Sequence, residues 1–219
     1  MLFRSEPYRR SDFEQRGAPR DGGPRIFLSH VEVRLEPFQE RLLEQVSIAR
    51  EAGRNWNLLV SAAGTGKTVM AAVDYARLSR SLPRARLLFV AHREEILAQS
   101  LGTFRHALRD HGFGELWVGS QRPRRFEHVF ASIQSLAASG LSHLAPDHFD
   151  IVVIDEFHHA PAATYRLLLD HVRPVQLLGL TATPERADGE SVLQWFGGRI
   201  AAELRLWDAI DQRRLVPFQ

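Results

Sequence analysis

The chain has 219 residues, 44% hydrophobic and 25% charged, enough for one substantial core in a single domain plus a tail. It has no cysteine, which excludes disulfides, thiolate metal sites and cysteine nucleophiles, and it has neither the roughly 18–20 consecutive apolar residues of a membrane helix nor the apolar block of a secretory signal. A cytoplasmic protein with no membrane contact is expected, and a formal net charge of +2 means that any polyanion must be met by a local patch rather than by the whole surface.

Residues 1–30 mix Arg, Asp, Gly and Pro with few apolar positions and read as an irregular tail or linker, leaving 31–219 as the folded lobe. From Pro37 the apolar positions Phe38, Leu42, Val46 and Ala49 recur at helical spacing, with Gly53 just beyond, which predicts a helix of about four turns. Short apolar runs follow at 57–60, 87–91, 128–133, 151–157 and 176–182. A helix begins near Gly66 between the first two, and another, with Leu97, Leu101, Phe104 and Leu108 on one face, lies between the second and third. Apolar strands alternating with helices predict an α/β fold whose mainly parallel sheet is covered by helices on both faces.

The run SAAGTGKT (61–68) directly follows a strand and opens a helix, the setting that a phosphate-binding loop requires. Ala63, Gly64, Thr65 and Gly66 would present backbone amides to phosphate oxygens. The helix N-terminus adds a favourable dipole. Lys67 would neutralise the β- and γ-phosphates, and the Thr68 hydroxyl would bind Mg2+. The strict pattern has Gly at the first position, where this chain has Ser61. Lys67 is also the only lysine among 28 basic residues, which suggests a place where a compact point charge is needed and a guanidinium fork would not fit.

The second motif is DEFH (155–158), at the end of the apolar strand IVVI. Asp155 can hold Mg2+ through water, and Glu156 can orient and deprotonate an attacking water. An acidic pair ending a strand is, alone, more often a solvated turn. Paired with Lys67, it points to phosphoryl transfer to water.

With both motifs present, the chain resembles the first, RecA-like motor lobe of superfamily 2 DExH/DEAD-box helicases of bacteria, in the group related to the motor subunits of type III restriction enzymes. Four further segments occur in that family's order: EPFQ (36–39), FVAHREE (89–95), FASIQSL (130–136) and TATPER (181–186). The resemblance implies a three-layer P-loop NTPase fold and a nucleic-acid-dependent ATPase using ATP and Mg2+. It also implies a nucleic-acid partner, DNA ahead of RNA, held by its backbone, and a second RecA-like lobe in the same longer protein or in another chain. Gln39 would then read adenine. Arg93, whose charge opposes the dipole of the helix it starts, would meet a nucleic-acid phosphate. Ser132 and Gln134 would hold sugar or phosphate without reading bases. Thr181 and Thr183 would couple nucleotide state to nucleic-acid contact, and His158 would bridge from the carboxylates toward them.

Two features stay open at this level. The loop SQRPRR (120–125) carries three arginines and can touch a duplex, although a charge cluster between strands is usually a solvated face. Ten histidines, without a helical HExxH pair or a cysteine partner, give no zinc site. The chain reaches its end at LVPFQ soon after TATPER. Because the family's second lobe supplies an arginine finger, the chain alone is expected to turn over ATP very slowly. A nucleotide-dependent protein-interaction switch and the motor lobe of a restriction complex are the competing readings.

Overall fold

The computed structural model describes residues 33–139, 141, 143–157, 162–184 and 192–204. The chain divides into Met1–Val31 and Glu32–Gln219. The expected tail over 1–30 lies outside the described residues, as do His158 and the end of the TATPER segment. In order, the elements are α1 (Pro37–Glu51), β1 (Trp56–Ser61), α2 (Lys67–Leu78), β2 (Leu87–Ala91), α3 (Glu94–Leu108), β3 (Glu115–Trp117), β4 (His128–Ser132), α4 (Ile133–Ser139), β5 (Ile151–Ile154), α5 (Ala162–His171), β6 (Gln176–Thr181), a 3-10 turn (Val192–Phe196) and β7 (Ala202–Leu204).

The strands form one seven-stranded sheet in the order β3-β4-β2-β5-β6-β1-β7, and every pairing among them is parallel. A parallel ladder needs a crossover between neighbours, so both faces end up covered and the strands read as unbroken apolar runs. The pleat separates the two cores residue by residue. Leu59, Leu87, Phe89, Phe130, Ile151, Val153, Leu178 and Leu180 point toward α1, α2 and α3. Their neighbours Leu58, Val60, Leu88, Val90, Val129, Val152, Ile154 and Leu177 point toward α4, α5 and the 3-10 turn. The result is the three-layer α/β architecture that the apolar runs imply.

Three details position the site. Helix α1 begins on Pro37, and the backbone N–H of Glu36 donates to Oε1 of Gln39 at 2.9 Å, which fixes the first turn. Arg50, near its end, makes a fork to both oxygens of Asp74 on α2, at 2.6 and 2.7 Å, tying the two helices together under the sheet. Gly179 in β6 leaves room for the 3-10 turn: a Cβ there would lie 2.5 Å from Cζ of Phe196 and 3.0 Å from Cδ1 of Leu58.

The run 151–157 is strand only to Ile154. Glu156 adopts φ +49°, a left-handed conformation that ends extended backbone. Phe157 then turns inward, fully buried and stacked on Tyr165 at 4.6 Å. This anchors the acidic pair at the lip of the sheet. The segment FASIQSL likewise divides at Ser132, strand before it and α4 after it.

Candidate active site

Apart from EPFQ, which opens α1, the candidate motifs follow strands β1, β2, β4, β5 and β6 at the carboxyl edge of the parallel sheet, the edge at which such sheets bind ligands. The loop 61–66 leaves β1 there and enters α2. Gly64 and Gly66 both take φ +79°, so the backbone reverses at positions where a side chain would be strained. A Cβ on Gly66 would also stand 2.5 Å from Nε2 of Gln39. That same Nε2 donates to the carbonyl of Thr65 at 2.8 Å, so the first turn of α1 braces the loop from outside.

Ser61 explains its own departure from the glycine pattern. It is the last residue of β1, in extended backbone that any residue adopts, and its buried hydroxyl lies 2.7 Å from Oγ1 of Thr65. Thr65 Oγ1 in turn donates to the carbonyl of Ala62 at 2.7 Å, so Ser61 supplies the donor of the pair. The loop is therefore closed by its own side chains, and a glycine in place of Ser61 would forfeit that contact.

Lys67 is the first residue of α2, half-buried, with Nζ donating to the carbonyls of Ser61 at 3.0 Å and Ala62 at 3.3 Å. Burial holds its pKa below the ordinary lysine value, opposed by the charges of Asp155 and Glu156. Asp155, only 4% exposed, is pushed up to about 6 by burial, with Lys67 pulling the other way. Its Oδ1 accepts the backbone N–H of Glu156 at 2.9 Å. Lysine and carboxylate thus share one field across β6, which lies between β5 and β1. The Thr68 hydroxyl follows on the half-buried first turn of α2, which has no acidic residue. Ala63 and Gly64 are exposed at the loop's tip.

Thr181 ends β6, beside the strand that leads into the acidic pair, and Thr183 follows two residues later. Thr181 Oγ1 donates to the Thr183 carbonyl at 2.6 Å and accepts the Thr183 N–H at 3.2 Å, while the N–H of Phe157 donates to the carbonyl of Leu180 at 3.4 Å. The segment after β5 and the segment after β6 are thereby joined.

The other half of the edge holds the candidates for nucleic acid. Arg93 is exposed at the start of α3, after β2. Gln134 is exposed on α4, after β4, and donates from Nε2 to Nδ1 of His92 at 2.8 Å, so Gln134 and the His92–Arg93 pair form one cluster over two adjacent strands. Ser132 departs from expectation. It is 4% exposed, and its Oγ accepts the N–H of Ser135 at 3.1 Å and donates to Ser135 Oγ at 2.8 Å. Its hydroxyl caps α4 instead of facing outward. Gln39 is likewise turned inward, 7% exposed. Sequence reasoning overlooked His92, although it sits beside Arg93, and overlooked the Ser61–Thr65 pair because only the fold brings those hydroxyls together.

The family described as "Type III restriction enzyme, res subunit" matches residues 32–186. The chain belongs to this family. It is 30% identical over 191 residues to the type I restriction enzyme EcoAI endonuclease subunit of Escherichia coli, covering 83% of this chain and 23% of that protein. It is 30% identical over 183 residues to the putative mitochondrial ATP-dependent helicase irc3 of Schizosaccharomyces pombe, covering 80% and 30% respectively. A fragment of a putative HsdR subunit of a type I restriction enzyme from Vibrio vulnificus superposes with a TM-score of 0.59 at 25% identity, over 80% of this chain and 31% of the other. The fold also matches a Sulfolobus solfataricus SWI2/SNF2 ATPase core in complex with dsDNA, with a TM-score of 0.62 at 13% identity, over 79% of this chain and 38% of that one. This motor lobe therefore spans between about a quarter and a third of the length of those curated relatives. It is a RecA-like superfamily 2 motor lobe of the helicase and restriction-enzyme kind. Among the described residues no helix is long and apolar enough to cross a membrane.

Proposed function

We propose that the lobe, residues 31–219 with 1–30 as its tail, binds ATP and hydrolyses it with Mg2+ in a nucleic-acid-dependent helicase or translocase of the cytoplasm, once a second lobe completes the cleft. The observation that carries this reading is a glycine-turned loop that opens a helix and holds the half-buried Lys67, its Nζ on the Ser61 and Ala62 carbonyls, at the same carboxyl edge as the buried Asp155. Amides of 63–68 receive the phosphates. Lys67 Nζ exchanges two backbone carbonyls for β- and γ-phosphate oxygens, a gain in charge complementarity that a neutral ligand would not offer.

The donors present fit Mg2+. Asp155 is a buried carboxylate without enough positive charge to restore its ordinary pKa, and Thr68 places a hydroxyl one residue beyond Lys67. Among the described residues no group of three or more His, Cys, Asp and Glu could hold a metal, so phosphate oxygens and water would complete the shell, as Mg2+ prefers. When bound, the ion would screen charge on the β- and γ-phosphates. Glu156 then orients a water and takes its proton as the water oxygen attacks the γ-phosphorus and ADP leaves. Gln39 retains one N–H and one acceptor lone pair beyond the contacts described, enough for the edge of adenine. Thr181, Thr183 and His158 would relay nucleotide state. The arginine finger comes from the second lobe, and its absence would leave turnover roughly three to five orders of magnitude down.

Arg93 and Gln134 form the outward part of the nucleic-acid face, with Ser132 holding α4 beneath them. DNA is preferred to RNA because solved relatives of this fold are complexes with DNA. The test is calorimetric titration of ATP with Mg2+ into the chain and into Lys67→Ala, together with oligonucleotide binding at several salt concentrations. Nucleotide binding that survives Lys67→Ala would refute the site. Binding of nucleotide without salt-sensitive binding of DNA or RNA would favour a protein-interaction switch. The 30% identity to a restriction endonuclease subunit makes a restriction complex the specific setting to test next.

A further inference from the structure

The arginine-rich loop 120–125 separates into two parts once folded. The backbone N–H groups of Arg124 and Arg125 donate to the carboxylate of Glu115, at 3.0 and 2.9 Å. Glu115 is the first residue of β3, so these two residues lie back at the amino end of that strand. Arg122 does something else. It follows a tight turn in which the N–H of Gln121 donates to the carbonyl of Val118 at 2.8 Å, with Gly119 at φ +52°. Its Nη1 donates to the carbonyls of Gly119 at 2.7 Å and Gln121 at 3.2 Å. Its guanidinium carbon lies 5.7 Å from the centre of the Trp117 ring, and Trp117 ends β3 at the carboxyl edge.

An exposed arginine usually explores many rotamers and loses that freedom on binding. Here the loop's own carbonyls and a buried indole already hold the head group, while the side chain remains exposed. The position is informative too. Strand β3 borders β4, and β4 borders β2, so the edge runs from Arg122 through Gln134 to Arg93. The turn reaches close to the start of α3: a Cβ on Gly119 would lie 3.7 Å from Oε1 of Glu94.

We propose that Arg122 is a preset phosphate contact that extends the nucleic-acid face by one strand beyond Gln134, and that Arg124 and Arg125 do not take part. The assignment rests on the nucleic-acid reading of that face. Its ligand is the sugar–phosphate backbone of a polynucleotide, because a single fixed guanidinium on an open edge recognises charge and carries no base-reading partner. Glu94, beside the turn, limits the affinity and keeps it dependent on salt.

The experiment measures anisotropy of a labelled oligodeoxynucleotide on the chain between about 50 and 200 mM salt, for the parent, Arg122→Ala, Arg124→Ala, Arg125→Ala and Arg93→Ala. Arg122→Ala is expected to weaken binding several-fold and to reduce the salt slope by about one charge, as Arg93→Ala does, with both other variants within about twofold of the parent. Arg122→Gln removes the charge and keeps a donor for the Gly119 carbonyl, so it should reproduce the loss of slope with an unchanged melting temperature. A parent-like slope in Arg122→Gln, with Arg93→Ala still impaired, overturns the assignment and leaves the face intact. No salt-sensitive binding by the parent overturns both.

Discussion

Asp155→Asn should make the nucleotide-free protein more stable while removing the carboxylate proposed to hold Mg2+. The folded carboxyl titrates at about 6 against an ordinary 3.8, chiefly because burial disfavours its charge. Between those values the folded protein binds a proton that the unfolded chain has already lost, so stability falls as pH rises from about 4 to about 6. The gap of about 2 units corresponds to about 3 kcal/mol carried as a penalty at neutral pH. Asparagine removes the penalty, and its Oδ1 still accepts the Glu156 N–H that Asp155 Oδ1 takes at 2.9 Å. Part of the gain is returned because Asp155 is one of the charges that offset the burial of Lys67. The net expectation is roughly 2 kcal/mol, or about 4–8 °C in melting temperature for a domain of this size. Thermal unfolding followed by circular dichroism from pH 4 to pH 8 measures it. Parent and variant should converge near pH 4, separate between about pH 4 and pH 6, and differ by a constant amount above that. A variant that melts below the parent at pH 7, or keeps the parent's slope, would refute the account of Asp155 as a strained, buried anion.

Lys67→Arg preserves charge but places a wide planar fork where Nζ meets the Ser61 and Ala62 carbonyls at 3.0 and 3.3 Å. ATP affinity should fall at least about tenfold by calorimetry, and parent-like binding would make the lone lysine an accident of composition. Arg50→Ala leaves Asp74, with a side chain only 5% exposed, without its partner and should cost about 3–5 kcal/mol by urea unfolding; a loss under 1 kcal/mol would count against a buried ion pair. Gly179→Ala forces a methyl against Phe196 and Leu58 and should cost about 1–3 kcal/mol in the same assay, and a neutral result would mean that the 3-10 turn yields freely.

The candidate phosphate loop was legible because the chemistry proposed for it demands particular residues at particular spacings: glycines where φ is positive, a cation at the helix start and a hydroxyl next to it. Strands 87–91 and 176–181 were legible because parallel strands buried on both faces are apolar without interruption. The three-residue strands β3 and β7 carry too little pattern to be seen, and each exists only as a neighbour of a longer strand. Helix α5 was overlooked although Tyr165, Leu168 and Leu169, all buried, stand at helical spacing in its sequence. Ser132 could not be assigned from sequence, because the same hydroxyl that could face a phosphate also makes an efficient helix cap, and only the position of Ser135 decides. Gln39 was tied to a ligand by sequence, while its contact with Thr65 spans 26 positions and has no local signature.

That contact makes the beginning of α1 a reporter for the loop. Gln39 joins the Glu36 N–H on one side to the Thr65 carbonyl on the other, so fraying of the helix start and loosening of the loop are a single event. Amide exchange at Glu36 should therefore slow when the loop is filled and quicken when it is emptied, giving a view of nucleotide occupancy that needs no label on the nucleotide.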